Sequence, residues 1–255
     1  MTKIGRDASQ SLINLAGNAI NKAFMWQTKF AQSIGTAVVL GDVAGGTIAQ
    51  LHSTTGVGLI FDSSSAADKT GSTGMLTCRL WGCDIYDIIM YEDIICNGTD
   101  AVTLTNTDWK TVWYLEPLTY GTGKAAAGNC FIQAVGGATN YLGIVATGFQ
   151  SSILNLYVPT KMVGFYVFDG WFTKATTATD GANIYINTDN GATNNVVKTV
   201  RTVAIGGEGA AALSTVGVHL EGILQSGLHN IFYGIDIGTT AQTLNWSITW
   251  GMRYV

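Results

Sequence analysis

The sequence predicts an all-β protein, an antiparallel β-sandwich or jelly-roll body preceded by an N-terminal arm that carries a short amphipathic helix. Three observations lead there. From about residue 35, short runs rich in Val, Ile, Thr, Tyr, Phe and Trp alternate with clusters of Gly, Asn, Asp and Ser. The last segment keeps a period of two over twelve residues. Only two prolines, Pro117 and Pro159, stand in the way of strands.

The elements follow in order. Residues 1–34 form the arm, with a helix over about 9–25. Leu12, Leu15, Ala16, Ala19, Ile20, Ala23 and Phe24 share one stripe at helical spacing, with Ser9 as N-cap. Phe24, Met25, Trp26 and Phe30 add a bulky apolar cluster, and Lys3 and Arg6 give the arm a basic start. The arm is therefore expected to pack on protein through Leu12, Leu15, Ile20, Phe24, Trp26 and Phe30.

Residues 35–255 form the body, as one sandwich or two sub-sandwiches. Trp109, Thr111, Trp113 and Leu115 alternate with Lys110, Val112, Tyr114 and Glu116. Val163 to Phe172 is apolar on both faces, which places it in the middle of a sheet or under another layer. Asp189-Asn190-Gly191 reads as a hairpin turn, and Ile231, Tyr233, Ile235 and Ile237 share a face. In the last strand Leu244, Trp246, Ile248, Trp250, Met252 and Tyr254 point to a core. That strand is long and nearly uncharged, so as an edge it needs cover, for which a neighbouring subunit is the expected source. Ser63 to Gly74 and Gly206 to Ala212 read as exposed, mobile loops.

Only 30 of the 255 residues are charged, about half the usual share of ~25%. Thr, Asn, Ser, Gly and Ala stand in their place, as on surfaces made to be covered by other subunits. Apolar runs are too short for a membrane span of about 20 residues. A net charge of −4 disfavours nucleic acid as a partner. No apolar stretch behind Lys3 and Arg6 resembles a secretory signal. Without one, Asn97-Gly98-Thr99 and Asn245-Trp246-Ser247 are read as chance matches to the glycosylation pattern. Cys78, Cys83, Cys96 and Cys130 fit no zinc spacing and are expected as buried free thiols.

No catalytic motif emerges, so no catalytic, cofactor or metal residue is assigned and the protein is expected not to be an enzyme. Gly121-Thr122-Gly123-Lys124-Ala125 lacks the Ser or Thr and the spacing of a phosphate loop. Three histidines, His52, His219 and His229, accompany no nucleophile elbow. Asp84, Asp87, Glu92, Asp93 and Asp100 lie in a stretch without Lys or Arg, open to calcium binding or to polysaccharide hydrolysis. Strand alternation assigns Asp84 and Glu92 to one face and Asp87 and Asp93 to the other, so a solvated strand edge or subunit rim is the favoured reading.

Residues 164–172, residues 176–187 and the final strand with Trp246 and Trp250 resemble in texture the accessory virion proteins of tailed bacteriophages. These are the β-sandwich or jelly-roll cement, decoration and fibre proteins. The likeness is compositional and carries over no functional residue. It implies a homo-oligomer, a trimer by preference, made in a host cytoplasm and fixed on a virion beside proteins such as a major capsid protein. A capsid cement or decoration subunit is the leading expectation. A fibre or receptor-binding module that grips glycans is the alternative, and a jelly-roll major capsid protein a further one.

Overall fold

The computed structural model describes residues 23–34, 37–39, 49, 51–137, 139–148, 151, 157–173, 182–189, 199–205, 215–224, 226–227, 230–236 and 242–254. In chain order the strands are β1 (Ala23–Ile34), β2 (Ala37–Val39), β3 (Leu59–Ser63), β4 (Met75–Asp84), β5 (Ile89–Ile95), β6 (Val102–Thr103), β7 (Trp109–Tyr120) and β8 (Cys130–Ala134). They continue as β9 (Asn140–Ile144), β10 (Met162–Thr173), β11 (Ala182–Asp189), β12 (Thr199–Ile205), β13 (Thr215–Leu224), β14 (Asn230–Asp236) and β15 (Gln242–Tyr254). Every strand pair is antiparallel. Among the described residues there is no helix, and so none long and apolar enough to cross a membrane.

The chain divides into two compact units, one of Met1–Val39 with Val158–Val255, the other of Leu40–Tyr157. The first holds two four-stranded sheets, ordered β1-β15-β10-β13 and β12-β11-β14-β2. β10 lies between β15 and β13, the inside position that its two apolar faces predict. β11 and β12 pair as a hairpin that Asn190-Gly191 was expected to turn; those two residues lie outside the described ones.

The N-terminal expectation needs correction. Ala23, Phe24 and Met25 are strand, not the end of a helix, and residues 9–22, with Lys3 and Arg6, lie outside the described residues. Phe24, Trp26 and Phe30 belong to β1, in register with Met252, Trp250 and Trp246 of the last strand. At Ala23 to Met25 the β-favouring run Phe-Met-Trp-Gln-Thr-Lys-Phe sets the local structure, because a paired strand satisfies its main chain along its whole length.

The last strand also sits differently from expectation. β15 is an inner strand, flanked by β1 and β10, so its own chain covers it. Ile248, Trp250 and Met252 are buried as the alternation predicts, but Tyr254 is 44% exposed at the strand's end. Leu244 and Trp246 pair with Phe172 and Gly170 of β10.

The second unit is built from the sheets β6-β3-β8-β9 and β5-β4-β7. Both bury side chains in one core: Leu59, Phe61, Ile132, Leu142 and Ile144 from the first, Met75, Cys78, Leu80, Ile94, Trp109, Val112 and Leu115 from the second. The alternation expected for residues 109–116 breaks within β7, because register shifts against β4 put Val112 beside Trp109 and Leu115 in that core. Gly82 of β4 belongs to this packing, since a Cβ there would lie 2.9 Å from the Trp109 ring. All four cysteines are free and buried, as expected.

The Ser63–Gly74 loop is exposed at its tips yet pinned at Asp68, which is fully buried. The Asp68 carboxylate accepts hydrogen bonds from the Ser63 hydroxyl at 2.6 Å and from the N–H groups of Met75, Ala127 and Gly128 at 2.7, 2.8 and 2.9 Å. One side chain thereby ties the β3–β4 connection to the β7–β8 connection. In the glycine stretch 121–125, the N–H groups of Gly121 and Gly123 donate to the carbonyls of Gly74 and Thr73. Amides that would cradle a phosphate are thus already used by the fold.

Candidate functional site: the β4–β5 hairpin and its outer face

Four of the five acids that stand out in the sequence, Asp84, Asp87, Glu92 and Asp93, fall in the β4–β5 hairpin, whose turn separates them, while Asp100 lies in the turn after β5. Asp84 makes the turn. Its Oδ1 accepts from the N–H groups of Tyr86 and Ile88, both at 2.8 Å. Asp87 occupies the left-handed region at φ 65°, which Asp tolerates better than most residues. Glu92 faces the loop after β6 and accepts from the N–H groups of Thr105 and Asn106 at 2.6 and 3.0 Å, and from the Asn106 side-chain amide at 2.8 Å. Asp93 faces outward. Alternation carried through the turn, as though the chain were one straight strand, could not anticipate these separate roles.

Two cations complete the picture, Lys110 from β7 and Arg79 from β4 of the hairpin itself. Lys110 of β7 donates to Asp87 Oδ1 at 2.6 Å and to the Tyr157 hydroxyl at 2.7 Å, while Tyr157 donates to Asp87 at 2.8 Å. His52 packs its ring against Tyr157, with centroids 5.1 Å apart. Burial works against the Lys110 charge, but its hydrogen bonds to Asp87 and Tyr157 outweigh burial and hold the ammonium above its ordinary range. Burial, followed by the Lys110 charge, lowers the His52 imidazole below its usual value. Burial raises the Tyr157 phenol. Each group is therefore held in the form its partner needs: Lys110 charged, His52 and Tyr157 neutral.

On the outer face Arg79 of β4 binds Asp93 with both carboxylate oxygens, at 2.6 and 2.9 Å. The same guanidinium lies 4.4 Å from the Tyr91 ring and 5.7 Å from Trp81. Trp81 donates its indole N–H to Glu116 at 2.8 Å. Hydrogen bonding to Arg79 lowers the Asp93 carboxyl. The outer face thus carries rings and a neutralised ion pair.

Exposed apolar side chains edge this face. Tyr86 is 76% exposed, Ile88 60%, Tyr91 53% and Ile95 66%. They sit on β5 and its turn, and β5 ends its sheet. Sequence reasoning missed Lys110 and Tyr157, because each comes from a distant strand or segment, and Arg79, because strand register and not sequence spacing sets it opposite Asp93. The one available signal was a charged residue, Lys110, inside the otherwise uncharged 109–115 run.

Burial also pushes up the thiols of Cys78, Cys83 and Cys130, which keeps them protonated and unreactive. Among the described residues no group of three or more His, Cys, Asp or Glu side chains could hold a metal ion. No protein-family model, no curated protein and no solved structure matches this chain.

Proposed function

We propose that this chain is a non-enzymatic structural subunit of a virion, a capsid cement or decoration protein that acts by burying surface against copies of itself and against shell proteins. Its two units are read as sandwiches, the second from the core that two sheets share. One observation carries the reading: a strand at the end of its sheet presents Tyr91 and Ile95, with Tyr86 and Ile88 beside them, to the outside. Such a strip on an edge strand is a template for pairing with another chain. The carboxylates that would be needed for hydrolysis are instead held by turn amides, Lys110, Tyr157, loop amides and Arg79. The test is an image of the particle on which the chain resides. Copies in symmetric positions on a shell are expected. A full-length chain that stays monomeric and decorates no particle overturns the reading.

A second reading rests on the outer face, where Trp81 and Tyr91 stand 5.2 Å apart beside Arg79, Asp93 and Glu116. Aromatic rings next to charged hydrogen-bonding groups suit a glycan-gripping module of a fibre. Specific glycan binding that Trp81→Ala abolishes would favour this role over cement.

A further inference from the structure

We propose that the free edge of β5 pairs with β5 of a second copy of this chain, antiparallel about a two-fold axis at Asp93, so that two three-stranded sheets join into one. This rests on the assembly reading above and names the surface that assembles.

The hydrogen-bond phase of the hairpin carries it. Cys96 donates its N–H to the Leu76 carbonyl, and Asp84 donates to Ile88, both at 3.0 Å. With Leu80 opposite Glu92, that phase turns the main-chain groups of Ile88, Met90, Glu92, Ile94 and Cys96 toward β4. The N–H and C=O groups of Tyr91, Asp93 and Ile95 therefore point away, along an edge that no strand among the described residues pairs with.

Two usual protections of an edge, Lys and Pro, are missing from Ile89 to Ile95. Both acids are already bonded, Glu92 to the loop after β6 and Asp93 to Arg79. The edge therefore presents main-chain groups and apolar side chains with little repulsive charge.

The strand is also self-complementary. A two-fold axis at Asp93 sets Tyr91 opposite Ile95 of the second copy, and Ile95 opposite its Tyr91. An aromatic beside a β-branched residue is a favourable cross-strand pair. The two Asp93 side chains come together, each already neutralised by its own Arg79, so two ion pairs meet rather than two bare charges. Three residue pairs would exchange about six main-chain hydrogen bonds.

The experiment uses the full chain in analytical ultracentrifugation. Tyr91→Lys and Ile95→Lys should each weaken self-association roughly a hundredfold. Both side chains are more than half exposed, so unfolding should be unchanged. Ile223→Lys, at another exposed apolar position, should leave association intact. Register is read by mixing Tyr91→Cys with Ile95→Cys under mild oxidation. Paired Cα atoms about 5.5 Å apart allow an interchain disulfide in the mixture, and neither variant alone should form one. Self-association that survives both Lys substitutions, or a mixture that does not crosslink, overturns the β5 pairing and leaves the assembly reading standing. A wild-type chain that is monomeric at high concentration overturns both.

Discussion

β15 and β5 look alike as sequence and differ in their surroundings. Both are rich in aromatic and β-branched residues and lack Lys and Pro, though β5 carries Glu92 and Asp93 where β15 carries only Arg253. β15 has β1 on one side and β10 on the other, so its hydrogen bonds and its buried face are satisfied within the chain. β5 has β4 on one side only, and Tyr91 and Ile95 remain outside. An apolar strand is a risk only where the fold leaves it a free edge. In this protein that place is on β5 of the second unit, not on the C-terminal strand that the sequence marks most clearly.

The largest expected effect is at the covered strand. Trp250 is fully buried, so Trp250→Ala should cost about 3–5 kcal/mol in unfolding by urea or heat. Tyr91→Ala should change the unfolding of the isolated chain by less than about 0.5 kcal/mol. Equal losses at the two positions would break the contrast between the strands.

Next comes the pin at Asp68. Asp68→Ala removes the acceptor of three backbone N–H groups in a buried site. Each stranded donor costs about 1–3 kcal/mol, so a loss of at least about 3 kcal/mol is expected in denaturant titration. Hydrogen exchange at Met75, Ala127 and Gly128 should rise together. Loosening confined to the Ser63–Gly74 segment would show that Asp68 does not join the two connections.

The strands and much of their order in the chain were legible. Residues 163–172 and 244–254 declare themselves through apolar runs and a period of two, which local sequence controls. Which strand ends a sheet was not legible, because pairing partners are set by contacts such as Ala23 with Arg253, separated by nearly the whole chain. The C-terminal end of the N-terminal stripe misled for a related reason, its first part lying outside the described residues. Ala23 and Phe24 fit a helical period, but β1 gains more by lying against β15 than a short helix gains alone. The acids at 84, 87, 92 and 93 were visible, while Arg79, Lys110 and Tyr157, which answer two of them, were not, since strand neighbours come from other segments.

A smaller effect is expected at the hairpin tip, where Asp87 and Lys110 hold Tyr157. Lys110→Met leaves the mostly buried Asp87 without its cation and should cost about 1–3 kcal/mol. His52 adds a pH signature. Its folded pKa lies below the ordinary value near 6.5, so the unfolded chain takes up the proton first. Stability should therefore fall as pH drops below about 6.5. His52→Gln should flatten that slope in unfolding curves measured between about pH 5 and 7, and an unchanged slope would remove His52 from the account.

The smallest effect on folding, and the sharpest on the edge, belongs to Arg79 and Asp93. The pair is exposed, so Asp93→Asn should shift unfolding by well under 1 kcal/mol. Hydrogen bonding to Arg79 holds the folded Asp93 carboxyl below its ordinary value. What the pair contributes is present above the unfolded pKa of about 3.9 and is lost as pH falls through the folded one. In a β5–β5 pair the consequence is larger. Once both Asp93 side chains are protonated, two Arg79 guanidinium groups face each other across the axis, with Glu116 the remaining carboxylate near each. Sedimentation between about pH 6 and 3 should show association weakening below about pH 4. Asp93→Asn should remove that acid step, because its Arg79 is uncompensated at every pH. An acid step of equal size in both proteins would mean that the charges at the edge do not govern its pairing.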